Sequence, residues 1–336
     1  MPSSQDKKQQ ELTKAYDVVA VGNAIVDILA HANDDFLKAE NIEKGAMTLI
    51  DEARAAELFS KMNNAVTSSG GSAANTMAGF GSFGGKGAFI GKVAKDSLGE
   101  AFNQGMNEQG IAFNNQPLID GPATASCHIF VTPDAERSMN TFLGASTEFE
   151  ETDLDETVIA QGRILYLEGY LYDKPKAKAA YKKASEIARK HGVEVALTLS
   201  DTFCVDRHRA EFEELVSSDV DILFSNEAEI KSLYQAQTLE EAISRVEGKC
   251  RIVVITRSEK GAVILSHGKR YNVPAHPVDT IIDTTGAGDQ FAAGFLFGLS
   301  RGMTLEECGA LGCKAAAEVI SHFGPRPQTS YTALLA

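Results

Sequence analysis

The sequence predicts an α/β fold: a doubly wound, mostly parallel central sheet with flanking helices, plus a small β lid. Three observations carry this. From Gly162 onward, short β-branched runs alternate with helical stretches, the rhythm of a parallel sheet whose crossovers are helices. The first such run, YDVVAV at 16–21, stops at Gly22 as a strand does. Two further runs, 124–132 and 137–142, flank the turn residues 133–136 and read as a strand pair.

The elements follow in order. Residues 1–15 (MPSSQDKKQQELTKA) are polar, lack the apolar centre of a signal peptide, and read as a flexible tail. After the strand at 16–21 come a short strand at 46–49 and a helix at 52–62. Residues 72–83 are small and apolar, a tightly packed helix behind Gly70–Gly71. A strand at 88–90 and a helix at 96–109, stopped by Gly110, lead to the strand pair. Then strand 164–167 meets helix 175–190, strand 193–197 meets helix 207–217, strand 222–224 meets helix 227–234, and 251–256 is a strand again. One large domain, 16–330, accommodates all of this, with the lid drawn from about 30–50 and 112–145. In such folds ligands sit beyond the carboxyl ends of the strands, so the polar residues there matter most.

Bulk properties exclude several roles. The chain has 336 residues, 43% of them hydrophobic, as a soluble protein with a large interior would. A net charge of −14 and no basic block beyond Lys7–Lys8 argue against nucleic acid as a partner. Five cysteines with no CxxC pair suggest reduced, buried thiols and a cytoplasmic protein. No apolar run is long enough for a membrane span. Lys86 and Lys92 follow glycines but lack the rest of a P-loop, and the first strand ends VGNAIVD where a dinucleotide site needs GxGxxG.

The chemistry concentrates in DTTGAGDQFAAG, residues 283–294. Small residues at 286–288 let a ligand approach the backbone, and the N-terminus of the helix that follows favours an anion. Asp289 in that turn has two readings: a helix cap, or a base that takes a proton from a hydroxyl attacking a phosphoryl group. Two further stretches bear on the choice. SGGSAAN at 69–75 joins a close-approach double glycine to Asn75, both donor and acceptor, and GKVAKDSLG occupies 91–99.

Together and in this order, these segments resemble the two signatures of the ribokinase-like carbohydrate and nucleoside kinases, the PfkB family. The resemblance runs from about Val18 to GPRP at 324–327. It implies a ribokinase-like fold, ATP as phosphoryl donor and Mg²⁺ as its metal. It implies Asp289 as catalytic base, with Gly286, Ala287 and Gly288 as the anion hole. Asp27 would bind sugar hydroxyls, with Gly70, Gly71 and Asn75 completing the sugar site. Asn226 and Glu229 match an N-x-x-E motif at i,i+3 helical spacing, Asn226 near the phosphates and Glu229 reaching Mg²⁺ through water. Thr256 and Gly261 fall on the nucleotide side, where Ser258 stands in a place the family usually gives to glycine. Asp283 and Thr285 match positions that bind a monovalent cation such as K⁺ in some relatives, and read equally well as a turn-capping pair.

Within the family, three features resemble the adenosine kinase branch. They are GNAIVDI at 22–28 with Asn23, the ERS…TFLGAS segment whose Arg137 lies near the transferring phosphate, and LEGY at 167–170. Tyr170 there would stack on a nucleobase. Met47 would line the nucleoside pocket, and Cys313 would flank the adenine of ATP as a structural thiol. The expected reaction is phosphorylation of the 5′-hydroxyl of adenosine or a related nucleoside, by a monomer or homodimer. A sugar kinase acting on ribose or fructose and a non-catalytic nucleoside- or sugar-binding protein are the alternatives.

Overall fold

The computed structural model describes residues 14–134 and 136–335. The expected tail therefore lies almost wholly outside the described residues. Its last described part is tied down: Lys14 Nζ donates to the carbonyls of Ala160 and His191, both at 3.1 Å. Ala135, in the turn of the strand pair, also lies outside.

Nine strands form the main sheet. They are β1 (Tyr16–Val21), β5 (Gly87–Ile90), β6 (Ile111–Ala112), β9 (Gly162–Glu168), β10 (Glu194–Thr198), β11 (Ile222–Asn226), β12 (Ile252–Thr256), β13 (Ala262–Ser266) and β14 (Lys269–Val273). Their spatial order is β14-β13-β12-β11-β10-β9-β1-β5-β6. From β6 through β12 every pairing is parallel; β13 and β14 close one edge antiparallel. The central strands are buried on both faces, as parallel strands between helix layers must be.

A second sheet has five strands: β2 (Ile25–His31), β3 (Met47–Leu49), β4 (Val66–Gly70), β7 (Ala125–Val131) and β8 (Arg137–Phe142), in the order β3-β8-β7-β2-β4. It draws on 25–31 and 66–70, which the sequence reading left to the first strand and to a glycine-rich turn. Only Gly22, Asn23 and Ala24 separate β1 from β2, so the two look like one strand until β2 pairs with β7 a hundred residues on.

Eleven α-helices accompany the strands among the described residues. α1 (Asp34–Ala39) and α2 (Glu52–Lys61) belong to the second sheet's segment of the chain. α3 (Ser72–Ser82), α4 (Ser97–Glu108), α10 (Ala287–Ser300) and α11 (Leu305–Val319) cover one face of the main sheet. α5 (Glu156–Ala160), α6 (Pro175–Lys190), α7 (Thr202–Ser218), α8 (Glu227–Leu233) and α9 (Leu239–Val246) cover the other. The helix starts are written in the sequence: Asp96, Asp201, Thr238 and Thr304 each cap their helix through a side-chain oxygen. No described helix is long and apolar enough to cross a membrane.

Candidate active site

Strand order reverses direction between β1 and β9: the chain moves outward to β5 and β6 from one, and to β10 through β12 from the other. A crevice opens at such a switch point. The two strand ends are tied across it. Glu168, the last residue of β9, accepts from the Asn23 N–H at 3.2 Å and from Asn23 Nδ2 at 2.7 Å. Its other oxygen accepts from the Ala73 N–H at 2.8 Å, in the first turn of α3. Burial lifts the Glu168 carboxyl to about 7, against these bonds. Asn23 therefore serves the scaffold, holding the loop after β1.

Glu168 fixes the start of α3, and α3 fixes Asp289. Ser72 Oγ donates to Asp289 Oδ1 at 2.6 Å, and Asn75 Nδ2 faces Oδ2 at 3.4 Å. Asp289 stands in the first turn of α10, whose N-cap is Gly286. Both of its oxygens thus face α3, while the N-cap, Gly286, has no side chain with which to cap the helix. Burial raises the Asp289 carboxyl to about 6; the bonds from Ser72 and Asn75 and the charge of Arg326 oppose the rise, and Asp27 adds to it.

The glycines of this turn do different jobs. Gly286 has φ +79°, and a Cβ there would lie 2.6 Å from the Pro325 carbonyl oxygen. At Gly288 a Cβ would meet nothing within 4 Å. Gly288 thus faces open space at the helix N-terminus. The Gly288 and Asp289 N–H groups lie in the first turn, where α-helical geometry supplies no acceptor. The Ala287 N–H already donates to the Thr284 carbonyl at 3.3 Å.

Asp27 lies in the middle of β2, opposite Cys127 of β7, and not at the end of the first strand. Beside it on the same face of the second sheet, Ile25, Leu29, Cys127, Ile129, Val131 and Met139 pack together. Burial lifts the Asp27 carboxyl to about 6, against the pull of Arg326 and Arg137. Gly70 makes room for it: a Cβ on Gly70 would lie 2.4 Å from Asp27 Oδ2. Gly71, at φ +95°, begins α3, and a Cβ there would lie 2.3 Å from the Asn23 carbonyl oxygen. Asp27, Gly70, Gly71, Asn75 and Asp289 are thus one cluster.

Arg137, on β8, crosses from the second sheet to an ion pair with Asp283. The Asp283 carboxylate also accepts from the Thr285 N–H at 2.9 Å and the Gly324 N–H at 3.0 Å. Burial works against this charge, but the donors around it hold the carboxyl below its usual value. In this arrangement every partner of Asp283 is a donor of positive character, and Thr285 meets it as a turn-capping partner.

The nucleotide-side residues form a second group. Asn226 pairs with Thr256 across β11 and β12. Asn226 and Glu229 were expected on one helix face; the structure makes Asn226 the N-cap of α8, in a reciprocal capping box with Glu229. The Glu229 N–H donates to Asn226 Oδ1 at 2.8 Å, and Glu229 Oε2 accepts from the Asn226 N–H at 2.9 Å. Burial raises the Glu229 carboxyl to about 7, with Asp201 adding to the effect. Ser258 sits at φ +50°, so the turn keeps the left-handed backbone that glycine would adopt freely. A Cβ at Gly261 would lie 2.0 Å from the Val273 carbonyl oxygen.

Three expected residues sit on further elements. Met47 is on the edge strand β3, 52% exposed. Tyr170 follows β9 in a short turn and is 40% exposed, its hydroxyl donating to the Ser200 carbonyl at 3.4 Å. Cys313 is buried in α11, and burial pushes its thiol up to about 11. All five cysteines are free.

Ser72 and Glu168 escaped the sequence reading, and so did two further residues of the cluster. Gln290, fully buried, donates through Nε2 to the Asn75 carbonyl at 2.9 Å and the Pro325 carbonyl at 2.8 Å. Arg326 donates through Nε to Asn75 Oδ1 at 3.0 Å and through Nη1 to Ser69 Oγ at 2.6 Å. A lone glutamine in the apolar run after Asp289 was the only signal for the first. The arginine of GPRP was the only signal for the second.

No group of three or more His, Cys, Asp or Glu side chains is gathered to hold a metal among the described residues. The carboxylates near the two groups are oxygen donors of the kind that a hard cation takes, directly or through water.

Comparison with known proteins agrees with this geometry. A family model described as pfkB family carbohydrate kinase matches residues 41–331. The adenosine kinase from Sinorhizobium meliloti has a structure similar to this one at a TM-score of 0.87, with 48% identity, covering 96% of this chain and 98% of that one. A probable sugar kinase protein from Rhizobium etli CFN 42 reaches a TM-score of 0.88 and 49% identity over the same shares. The adenosine kinase of Saccharomyces cerevisiae is 27% identical over 332 residues, 92% of this chain and 96% of that protein. With a helix-end acid in a ribokinase-like fold and a family match across most of its length, the chain belongs to the pfkB family of carbohydrate kinases, phosphotransferases that transfer from ATP to an alcohol group.

Proposed function

We propose that the chain phosphorylates the 5′-hydroxyl of adenosine or a closely related nucleoside. The observation that carries the reading is Asp289: a half-buried carboxylate at a helix N-terminus, held by Ser72 and Asn75 beside an open approach at Gly288. Asp27 stands across the cluster on an apolar face that suits a ribose and its base. The likeness to the Sinorhizobium meliloti adenosine kinase supports the nucleoside class.

In this reading two vicinal hydroxyls donate to Asp27, and Asn75 donates to the sugar. Asp289 accepts the proton of the attacking hydroxyl. That oxygen forms a bond to the γ-phosphorus as the bond from phosphorus to the β–γ bridging oxygen breaks, and ADP leaves with the electron pair. The first-turn N–H groups of α10 stabilise charge on the transferring oxygens. Arg137 adds positive charge from the second sheet, which acts as a lid and keeps water from the γ-phosphoryl. Mg²⁺, when bound with ATP, would neutralise phosphate charge; Glu229 would meet it through water, and Asn226 would lie near the phosphates. Tyr170 presents its open ring to the base.

The test is ADP formation from ATP and Mg²⁺ with adenosine, other nucleosides, ribose and fructose in parallel. Adenosine should give the highest kcat/KM. Turnover of a free sugar with none of any nucleoside would replace the nucleoside reading with the sugar kinase one, which the likeness to the Rhizobium etli protein supports.

A further inference from the structure

Asp27 and Asp289 are two half-buried carboxylates in one cluster, and the charge of Asp27 adds to the affinity of Asp289 for a proton. A base must nevertheless be ionised to work. Something has to supply charge, and something has to keep Asn75 facing the right way. One side chain is placed for both.

Arg326 comes from the segment 324–327, which is clamped on the N-terminus of α10. Gly286 approaches Pro325 closely, Gln290 holds the Pro325 carbonyl, and Asp283 holds the Gly324 N–H. The guanidinium leaves this clamp and meets Asn75 and Ser69 through two nitrogens. Its third, Nη2, is buried and has no hydrogen-bond partner among the described residues. We propose that Arg326 is the positioning residue of the acceptor site: its fork fixes the orientation of the Asn75 amide, and its charge is shared between Asp27 and Asp289. This rests on the kinase reading of the site, not on the choice of nucleoside over sugar.

The orientation follows from donors and acceptors. Arginine has no acceptor, so only the oxygen of the Asn75 amide can face it. The amide nitrogen then faces Asp289 and the acceptor pocket. A flipped amide would set its oxygen against a carboxylate and its nitrogen against a guanidinium. Arg326 thus makes Asn75 a donor toward the sugar, complementing Asp27, an acceptor. One hydroxyl can satisfy both.

The charge acts on Asp289 directly. The other titratable groups that Asp289 interacts with are Asp27 on β2, Tyr166 and Glu168 on β9, and Tyr170 after it. Three of the four sit on one strand and its turn, and every one is neutral or negative. Among these groups Arg326 is the cation that favours an ionised base. Burial brings the Arg326 guanidinium down to about 10, which still leaves it charged at neutral pH.

The experiment compares R326M and R326K with the wild type on whichever acceptor the wild type phosphorylates, measuring kcat and acceptor KM from pH 5.5 to 9. Loss of the charge in R326M should move the acid limb of kcat upward by about one pH unit. The kcat deficit at pH 6.5 should then be about threefold larger than at pH 8.5, and acceptor KM should rise about tenfold. R326K should restore the acid limb but not KM, because an ammonium cannot hold Asn75 and Ser69 in one fork. An R326M enzyme with the wild-type acid limb and an acceptor KM within about twofold of wild type would overturn the proposal. If R326M does not fold, R326K decides: a wild-type KM there also overturns it. Wild-type turnover of ribose but not adenosine would end the nucleoside reading and leave this comparison intact, run on ribose.

Discussion

Asp289 and Gly288 divide the chemistry at the scale of single residues. With its carboxyl lifted to about 6, Asp289, the proposed base, is ionised at neutral pH and takes up a proton as the pH falls through that value. The kcat of the wild type should therefore fall as pH drops through about 6, a direction set by burial of the acid. The same shift has a consequence for stability. A carboxyl whose folded value is raised favours the folded state at low pH, and that contribution fades as pH rises from the unfolded value of about 4 to the folded one. Asn at position 289 has no such dependence. D289N should gain stability relative to wild type between pH 4 and pH 7.5, by about 1–3 kcal/mol, read from urea midpoints at each pH. A constant difference across that range would mean that the carboxyl is not perturbed. Gly288 offers a second separation. G288A places its methyl in open space and removes a glycine from a helix, so the melting temperature should hold or rise. Turnover should fall by about tenfold or more, because in the proposed mechanism the methyl would stand where the phosphoryl group approaches. G286A should instead lose stability, since φ +79° and the Pro325 backbone both exclude a Cβ.

Elements are organised here by a buried carboxylate and two helix starts. Glu168 joins β9, the loop after β1 and the first turn of α3 through three hydrogen bonds. E168A would leave the Asn23 and Ala73 donors unpaired in the interior. It should cost about 2–4 kcal/mol in urea unfolding and also lower kcat, because Ser72 and Asn75 ride on the helix that Glu168 holds. A variant that lost stability but kept wild-type kcat would break the link from β9 to Asp289. Most of the helices and parallel strands were legible in the sequence, because caps and β-branched runs act locally. Helix 175–190 and strand 16–21 match to the residue. Helix α7 begins five residues before the predicted start, at Thr202 after its Asp201 cap. Strands β2 and β4 were hidden because their partners, not their own residues, assign them to a second sheet. The hairpin β13–β14, turning at His267–Gly268, was passed over although both turn residues are left-handed.

The whole molecule is two sheets that meet at one cluster. The main sheet brings Glu168, and helices α3 and α10 bring Asn75 and Asp289. The second sheet brings Asp27 and Arg137. The motifs named the acids, because kinase chemistry needs them at fixed places along the chain. Gln290 and Arg326 were not legible as site residues: their partners lie 215 and 251 positions away in sequence, and only folding sets them together. An ion pair between Arg137 and Asp283 ties the second sheet to the segment that leads into α10. The central claim is that this cluster transfers a phosphoryl group to a nucleoside with Asp289 as base. The most direct measurement is adenosine-dependent ADP formation by wild type and D289N, with adenosine affinity measured for both by calorimetry. The account predicts turnover by the wild type, a loss of about 10²–10⁴-fold in kcat for D289N, and retained binding in both. Turnover by D289N at the wild-type rate would contradict it.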